Sequence, residues 1–508
     1  MAAKKEASCA RVRRGEGSLG TVLILGLGKS GTAVAEYCMG LLGSRVAGVY
    51  IAAGKKTPES EAFAERVACR EVRVAFGDEG VSQLAAEVEG GVFDVCVPSP
   101  GIAPHNPLYV HGKELSAQVW GEVEFAWRES APDARWIAIT GTNGKTTTTS
   151  LLAHILSTAG QNAVAVGNIG DTCMEAVAKD PSRVFVAEVS SYQLYSTDEF
   201  SPDAAVLLNV TPDHLSWHGS FEAYREAKCR VFSHLRDCGR AVAVLDATDD
   251  EARAKVREFK SIPEDQRGFA YIPVGAKAGY SADMRNVCGS VNAAFVDADG
   301  TMTVAYAGKE HRLCKASELQ IKGRHNVGNA LAAASVAVAL GSPDEAVAEG
   351  LRSFEPLAHR IEPCGSVQGV RCYNDSKATN VDASLAAIAA FPETRPILLF
   401  GGDDKGTDLS PLIEASHRHA RAAVCFGAAG ERFYQAFADA QASAPEDFAV
   451  LRAGNMEDAL DVAFGIARSG EVIVLSPACA SFDEFSCFEE RGEVFKRLVA
   501  SRARRLGA

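Results

Sequence analysis

Thr140-Gly141-Thr142-Asn143-Gly144-Lys145-Thr146-Thr147 follows directly on the apolar run Trp136-Ile137-Ala138-Ile139. A buried strand entering a glycine-bearing turn, a lysine and a threonine builds a phosphate-binding loop. The glycines let backbone N–H groups approach the phosphates, Lys145 meets their charge, and Thr146 offers a hydroxyl to Mg²⁺. The segment 146–159 reads as a helix whose N-terminus faces the anion. The usual loop has glycine where Ile139 stands here. A turn that merely holds Gly and Lys is the plainer reading, but the flanking strand and helix favour nucleoside triphosphate binding.

Glu188 ends the run Val184-Phe185-Val186-Ala187, at the carboxyl end of a buried strand, where α/β sheets place their ligands. A carboxylate there suits Mg²⁺, which takes oxygen ligands; a satisfied structural carboxylate is the alternative. His214, in Asn209-Val210-Thr211-Pro212-Asp213-His214, also follows a strand end. His214 and His218 have a zinc-like spacing, but no third ligand lies near and Pro212 breaks a preceding helix. His214 alone, near metal or phosphates, is the preferred reading. Lys228 looks on spacing like an ordinary helix-face lysine.

Gly26-x-Gly28-x-x-Gly31 follows a strand and matches the dinucleotide fingerprint. That fingerprint wants an acid at the end of the second strand, and Ile51-Ala52-Ala53-Gly54-Lys55-Lys56 has none, so NAD is disfavoured. Another diphosphate, met by Lys55 or Lys56, or a tight turn without ligand, remains. Late in the chain, 374–380, 401–405 and 476–483 each follow a strand and are rich in hydroxyls or lysine, and Arg360 opens that block. One such loop is usually a solvated turn; three on one sheet form a rim.

Three blocks must position these groups. Strands are expected at 21–25, 46–51, 72–76 and 93–98, with a helix at 121–127 and a linker at 130–133. The second block has strands at 163–166, 184–189, 204–209 and 241–245. A hairpin turning on Asp299-Gly300 and a helix at 326–340 follow, with Ser342 as the next N-cap. The third has strands at 370–373, 397–400, 422–426 and 472–475. The alternation predicts an α/β protein of about three domains with mainly parallel sheets. Boundaries are expected at 1–18, 19–128, 129–355 and 356–508.

Composition narrows the rest. The net charge of −13 leaves no basic excess for general nucleic-acid binding. No apolar run approaches the ~20 residues of a membrane span. Residues 1–18 carry Lys4, Lys5, Arg11, Arg13 and Arg14 with no apolar stretch behind them, and read as a disordered extension, not a signal peptide. The 14 cysteines form no C-x-x-C pair, so free thiols in a reducing cytoplasm are expected. A cytoplasmic monomer without nucleic-acid or membrane partners is the expectation.

Together these motifs resemble the ATP-dependent Mur ligases of peptidoglycan synthesis, from Gly26 to about Arg497. The phosphate loop is shared with folylpolyglutamate synthases, while 375–380 and 476–483 look like the D-glutamate-adding branch. The resemblance implies a Rossmann-like N-terminal domain, a central P-loop ATPase-like domain and a Rossmann-like C-terminal domain. It implies an ATP-dependent amide ligase that joins D-glutamate to a UDP-muramoyl substrate through an acyl phosphate. Another Mur-type or folylpolyglutamate-type ligase is the alternative. By matching motif, Gly141, Thr142, Asn143, Gly144, Lys145, Thr146 and Thr147 would hold ATP, with Asn326, Asn329, Arg360, Asp375 and Lys377. Thr146, Glu188, His214 and a carbamylated Lys228 would hold two Mg²⁺ ions. Thr379, Lys405, Ser481, Phe482 and Phe488 would receive D-glutamate. Gly28, Lys29, Ser30, Ser99, Gly101 and Asn168 would receive the UDP-muramoyl substrate, and domain closure would shield the acyl phosphate. The family's Asp-x-Arg element after the second strand is replaced by Ala52-Ala53-Gly54-Lys55, which changes the expected uracil contacts.

Overall fold

The computed structural model describes residues 17–67, 69, 71–276, 288–392, 394–404, 406–441 and 444–506. Lys405 and most of the expected extension at 1–18 lie outside the described residues. The described chain is α/β with three sheets. It divides into two compact units. The first runs to Ser317 and resumes over Gly328–Arg352; the second takes Glu318–Val327 and Ser353–Ala508.

In the first unit, β1 (Gly20–Leu25), β2 (Val46–Ala53), β3 (Val72–Phe76), β4 (Phe93–Pro98) and β5 (Ser116–Val119) form an all-parallel sheet in the order β3-β2-β1-β4-β5. This is the strand order of a doubly wound fold, which reverses between β1 and β4. The same unit carries a nine-stranded sheet of β6 (Arg135–Thr140), β7 (Ala163–Gly167), β8 (Val184–Glu188), β9 (Ala204–Leu207), β10 (Val242–Asp246), β11 (Ala270–Gly275), β12 (Ala293–Val296), β13 (Thr301–Tyr306) and β14 (Lys309–Lys315). Its order is β14-β13-β12-β11-β10-β9-β6-β8-β7, parallel except where β12, β13 and β14 meander. The two sheets share one continuous core, in which Val22, Ile24 and Val34 join Trp127, Trp136 and Phe185. The expected linker is therefore enclosed at its start: Ser130 is fully buried, donating to the Trp127 carbonyl (2.8 Å) and accepting from Trp136 Nε1 (3.0 Å).

The second unit holds β15 (Glu362–Val367), β16 (Val370–Asn374), β17 (Ile397–Gly401), β18 (Ala422–Phe426), β19 (Ala449–Arg452) and β20 (Val472–Leu475), in the order β15-β16-β20-β17-β18-β19. Only β15 is antiparallel to its neighbour. Its Leu398, Phe400, Val424 and Ile473 are buried on both faces, as continuous apolar runs in parallel strands require.

The strands not anticipated from sequence are β5, β11, β14, β15 and β19. All but β11 lie at sheet edges, where one side is open and the apolar run is short or broken. β11 carries Pro273, which argues against a central strand, yet pairs with β10 through Leu245↔Pro273. Ser342 is not the expected N-cap. The helix begins at Asp344, and the Ser342 hydroxyl instead accepts from Gln161 Nε2 (3.1 Å). Among the described residues, no helix is long and apolar enough to cross a membrane.

Candidate functional site

β6 lies between β9 and β8, and all three run parallel. The loop after Thr140, the carboxylate of Glu188 and the segment after Leu207 therefore emerge side by side at one sheet end. The helix Lys145–Thr158 starts at Gly144, whose φ of 86° is left-handed. A Cβ there would lie 2.5 Å from Asn329 Oδ1, so the loop passes this point only as glycine. Asn209 pins the loop: its Oδ1 accepts from the Asn143 N–H (2.8 Å) and its Nδ2 donates to the Asn143 carbonyl (3.0 Å). Thr142 Oγ1 accepts from the Thr211 N–H (2.9 Å) and lies 2.9 Å from the Tyr224 hydroxyl. Lys145 Nζ donates to the carbonyls of Gly141 (2.9 Å) and Thr142 (2.8 Å).

Lys228 corrects its sequence reading as an ordinary helix-face lysine. It projects inward from the helix Phe221–Cys229, is 2% exposed, and donates to the same Gly141 carbonyl at 2.7 Å. Its ammonium lies 4.6 Å from the Tyr224 ring centroid. Burial, then the Lys145 charge, hold it well below the ordinary lysine value, against the opposing pull of Asp213 and Glu188. The enclosure therefore favours the neutral amine over the ammonium.

Glu188 is equally buried. Its Oε1 accepts from Asn168 Nδ2 (3.0 Å), while its enclosed Oε2 takes no hydrogen bond. His214 adopts φ 54°, and its ring lies 4.9 Å from that of Tyr192. His218 Nε2 lies 2.9 Å from Ser191 Oγ, and burial pushes this histidine down to about 4, with His214 and Lys228 adding to the shift. His218 is thus neutral and engaged. Among the described residues no group of three or more His, Cys, Asp or Glu is arranged to hold a metal ion.

The glycine turn after β1 has a structural cause at two of its three positions. A Cβ on Gly31 would lie 2.0 Å from the Gly26 carbonyl oxygen, so the helix Lys29–Gly40 packs this tightly only without one. Gly26 has φ 88°, but Gly28 is extended and faces open space. Ser99 Oγ is buried beside this turn without a hydrogen-bond partner. Lys29 reaches across to the Gly170 carbonyl (2.5 Å). Ser30 lies in the first turn of that helix, and Gly101 is exposed beyond β4.

In the second unit β16, β20 and β17 are parallel neighbours, so the three polar loops do leave one end of the sheet. Asp375 is buried and accepts from Ser476 Oγ (2.8 Å) and the Ile361 N–H (3.2 Å). Burial raises it to about 7, opposed by the Ser476 hydroxyl and the Arg360 charge. Lys377 lies 4.8 Å from the Phe488 ring centroid. Thr379 is half-buried, Ser481 is buried, and Phe482 is 70% exposed beside it. Asn326 Nδ2 donates to the Lys322 carbonyl (2.7 Å). Sequence reading missed Arg491. It is wholly buried and donates to Ser376 Oγ (2.9 Å), the Ser376 carbonyl (2.8 Å) and the carbonyls of Ala480 (2.9 Å) and Cys479 (3.1 Å), tying two of the loops together. Its helix, Phe488–Leu506, is charged throughout, so nothing in the pattern singled it out.

Residues 139–337 match the Mur ligase middle domain, and residues 359–479 match the Mur ligase, glutamate ligase domain. The chain is 35% identical to the UDP-N-acetylmuramoylalanine–D-glutamate ligase of Thermoanaerobacter pseudethanolicus, over 94% of this chain and 98% of that one. It is 38% identical to the enzyme of that name from Alkaliphilus metalliredigens, over 81% and 84%. The chain belongs to the Mur ligase family. The fold agrees with that of the MurF ligase from Thermotoga maritima in complex with ADP, at TM-score 0.55 and 16% identity over 97% of this chain and 99% of that one. The UDP-N-acetylmuramate-alanine ligase of the same organism gives 0.52 at 17%, over 96% and 99%.

Within this Mur ligase, the structure gathers Gly141, Thr142, Asn143, Lys145, Glu188 and Lys228 at one sheet end, and packs Asn329 behind Gly144. Asn168 stands against Glu188. Asn209, Tyr224 and Arg491 are the structural partners that motif reading left unassigned.

Proposed function

We propose that this Mur ligase joins D-glutamate to UDP-N-acetylmuramoyl-L-alanine using ATP, as the names of its relatives suggest. The observation that carries the chemistry is Lys145 and Lys228 converging on one carbonyl of the phosphate loop, beside a buried carboxylate with an open oxygen. A carboxylate does not acylate an amine at neutral pH, because its leaving group would be an oxide. Transfer of the γ-phosphoryl of ATP to the L-alanyl carboxylate releases ADP and leaves an acyl phosphate. The D-glutamate amine then attacks the carbonyl, and phosphate leaves from the tetrahedral intermediate. Both steps gather negative charge, so fixed cations supply most of the catalysis.

The residues present fit Mg²⁺. Thr146, Glu188, His214 and a carbamylated Lys228 would hold two such ions, and the bound ions would neutralise charge on the phosphates. An ammonium cannot ligate a cation, whereas a carbamate can. The suppressed basicity of Lys228 supplies the neutral amine that adds to CO₂, with loss of a proton. Arg360, Asp375, Lys377, Asn326 and Asn329 are assigned to ATP, and Thr379, Lys405, Ser481, Phe482 and Phe488 to D-glutamate. Gly28, Lys29, Ser30, Ser99, Gly101 and Asn168 are assigned to the UDP-muramoyl substrate. We further take 19–128, 129–355 and 356–508 as the functional domains of a cytoplasmic monomer.

Phosphate release from ATP, measured with and without each substrate, tests the reading. Release that needs both UDP-N-acetylmuramoyl-L-alanine and D-glutamate is expected. Release independent of both would replace the ligase with an ATP-hydrolysing regulator; release with a pterin substrate instead would point to a folylpolyglutamate-type ligase.

A further inference from the structure

Besides Glu188, one other buried carboxylate of the described chain has an oxygen without a hydrogen bond: Glu122, 2% exposed, with Oε2 enclosed and unpartnered. The two flank a single turn. Glu188 holds its start: Oε1 accepts from Asn168 Nδ2 (3.0 Å), and the Glu188 carbonyl accepts from the Asn168 N–H (2.9 Å). Glu122 holds its end: Oε1 accepts from the Met174 N–H (2.7 Å), with the Cys173 N–H also turned to it. Between them the turn closes through the Gly167 N–H to the Asp171 carbonyl (2.9 Å).

Capping alone does not account for Glu122. The helix Cys173–Lys179 already has its own reciprocal cap: Thr172 accepts from the Glu175 N–H (3.1 Å) and Glu175 from the Thr172 N–H (2.7 Å). The bond from Glu122 is additional and comes from a different part of the unit, the first turn of the helix Glu122–Glu129. Burial pushes Glu122 up to about 7, and enclosing a polar group with one oxygen unsatisfied is costly, so an apolar side chain would fill the space more cheaply. Lys29, beside the glycine turn, reaches the same segment through the Gly170 carbonyl (2.5 Å) and, with its Nζ, Glu175 Oε2 (3.7 Å).

We propose that Glu122 is a positioning residue for the ligation. It fixes the 168–172 turn, so that Asn168 holds the Glu188 carboxylate and the glycine-turn site is mechanically joined to the phosphate-loop site. The inference rests on the function proposed above. Each contact is a short bond between groups on elements packed in one core, so displacing Glu122 moves Asn168 without touching ATP or either substrate directly.

The test uses the full-length enzyme and its E122A, E122Q, E122D, N168A and E122A/N168A variants. KM for UDP-N-acetylmuramoyl-L-alanine and the Mg²⁺ concentration at half-maximal rate are measured alongside Tm. E122A is expected to raise both constants about tenfold, the size of one lost buried hydrogen bond. E122Q keeps an oxygen for the Met174 N–H and restores them. The double variant should be no worse than N168A, because the two residues act through one contact. Constants unmoved in E122A, or effects that multiply in the double variant, would overturn the proposal. If E122A does not fold, E122D, whose carboxylate falls one methylene short, should show the shift that E122Q lacks; equal behaviour of the two overturns it. A wild-type enzyme that ligates while E122A matches it sinks only this inference. A wild type that never ligates sinks the functional reading, and this inference with it.

Discussion

Lys228 shows how a residue's chemistry is set by what surrounds it. In solution a lysine titrates near ~10.4 and is almost wholly cationic at pH 7. Enclosed beside Lys145, it is driven toward the amine. Depleting bicarbonate and CO₂ should therefore slow the enzyme, and restoring them should recover the rate. K228R, which keeps charge but forms no carbamate, should lose about 10²–10³ in kcat; a bicarbonate-indifferent wild type would discard the carbamate. Asp375 carries the opposite shift, from 3.8 to about 7 through burial. From about pH 4 to about 7 the native chain keeps this proton while the unfolded chain gives it up, so the group lowers stability progressively as pH rises across that window and by a constant amount above it. D375N removes the titration. Its Tm relative to wild type should climb between pH 4 and 7 and then level off; a difference that stays flat across that range would mean Asp375 is not held protonated.

At the scale of elements, the glycine turn after β1 separates packing from binding. The Gly31 Cβ position is occupied by the Gly26 carbonyl, whereas that of Gly28 is open. G31A should push the helix Lys29–Gly40 off the sheet and cost about 1–3 kcal/mol, the range for overpacking a tight contact. G28A should leave chemical denaturation unchanged but raise KM for the nucleotide substrate, because the methyl group stands where a ligand would approach. Equal loss of stability in both would make this turn purely architectural. The phosphate loop has the same division: Gly144 is required by its left-handed backbone and by Asn329, while Asn143 and Thr142 are held by Asn209 and Thr211. The edge strands β5, β14, β15 and β19 were not foreseeable from pattern, because an open edge relaxes the demand for apolar residues that makes central strands recognisable.

For the whole molecule, a ligand that binds only the folded chain stabilises it by mass action, about 2.7 kcal/mol at one hundred times its Kd. MgATP should raise Tm in a concentration-dependent way, and K145A should lose most of that rise while keeping the Tm of the ligand-free enzyme. An equal rise in K145A would remove the phosphate loop from ATP binding. What the sequence determined by itself is the alternation of strands and helices, the α/β class, the phosphate loop after β6 and the family to which its motifs point. All of these depend on local periodicity and on short spacings in which neighbouring residues act together. Tertiary structure alone decided that Lys228 is interior, that Asn168 faces Glu188, that Arg491 ties two rim loops and that Glu122 accepts from the Met174 N–H. Each of those contacts joins residues far apart along the chain, and burial and charge environment are properties of the packed fold that no local window of sequence contains.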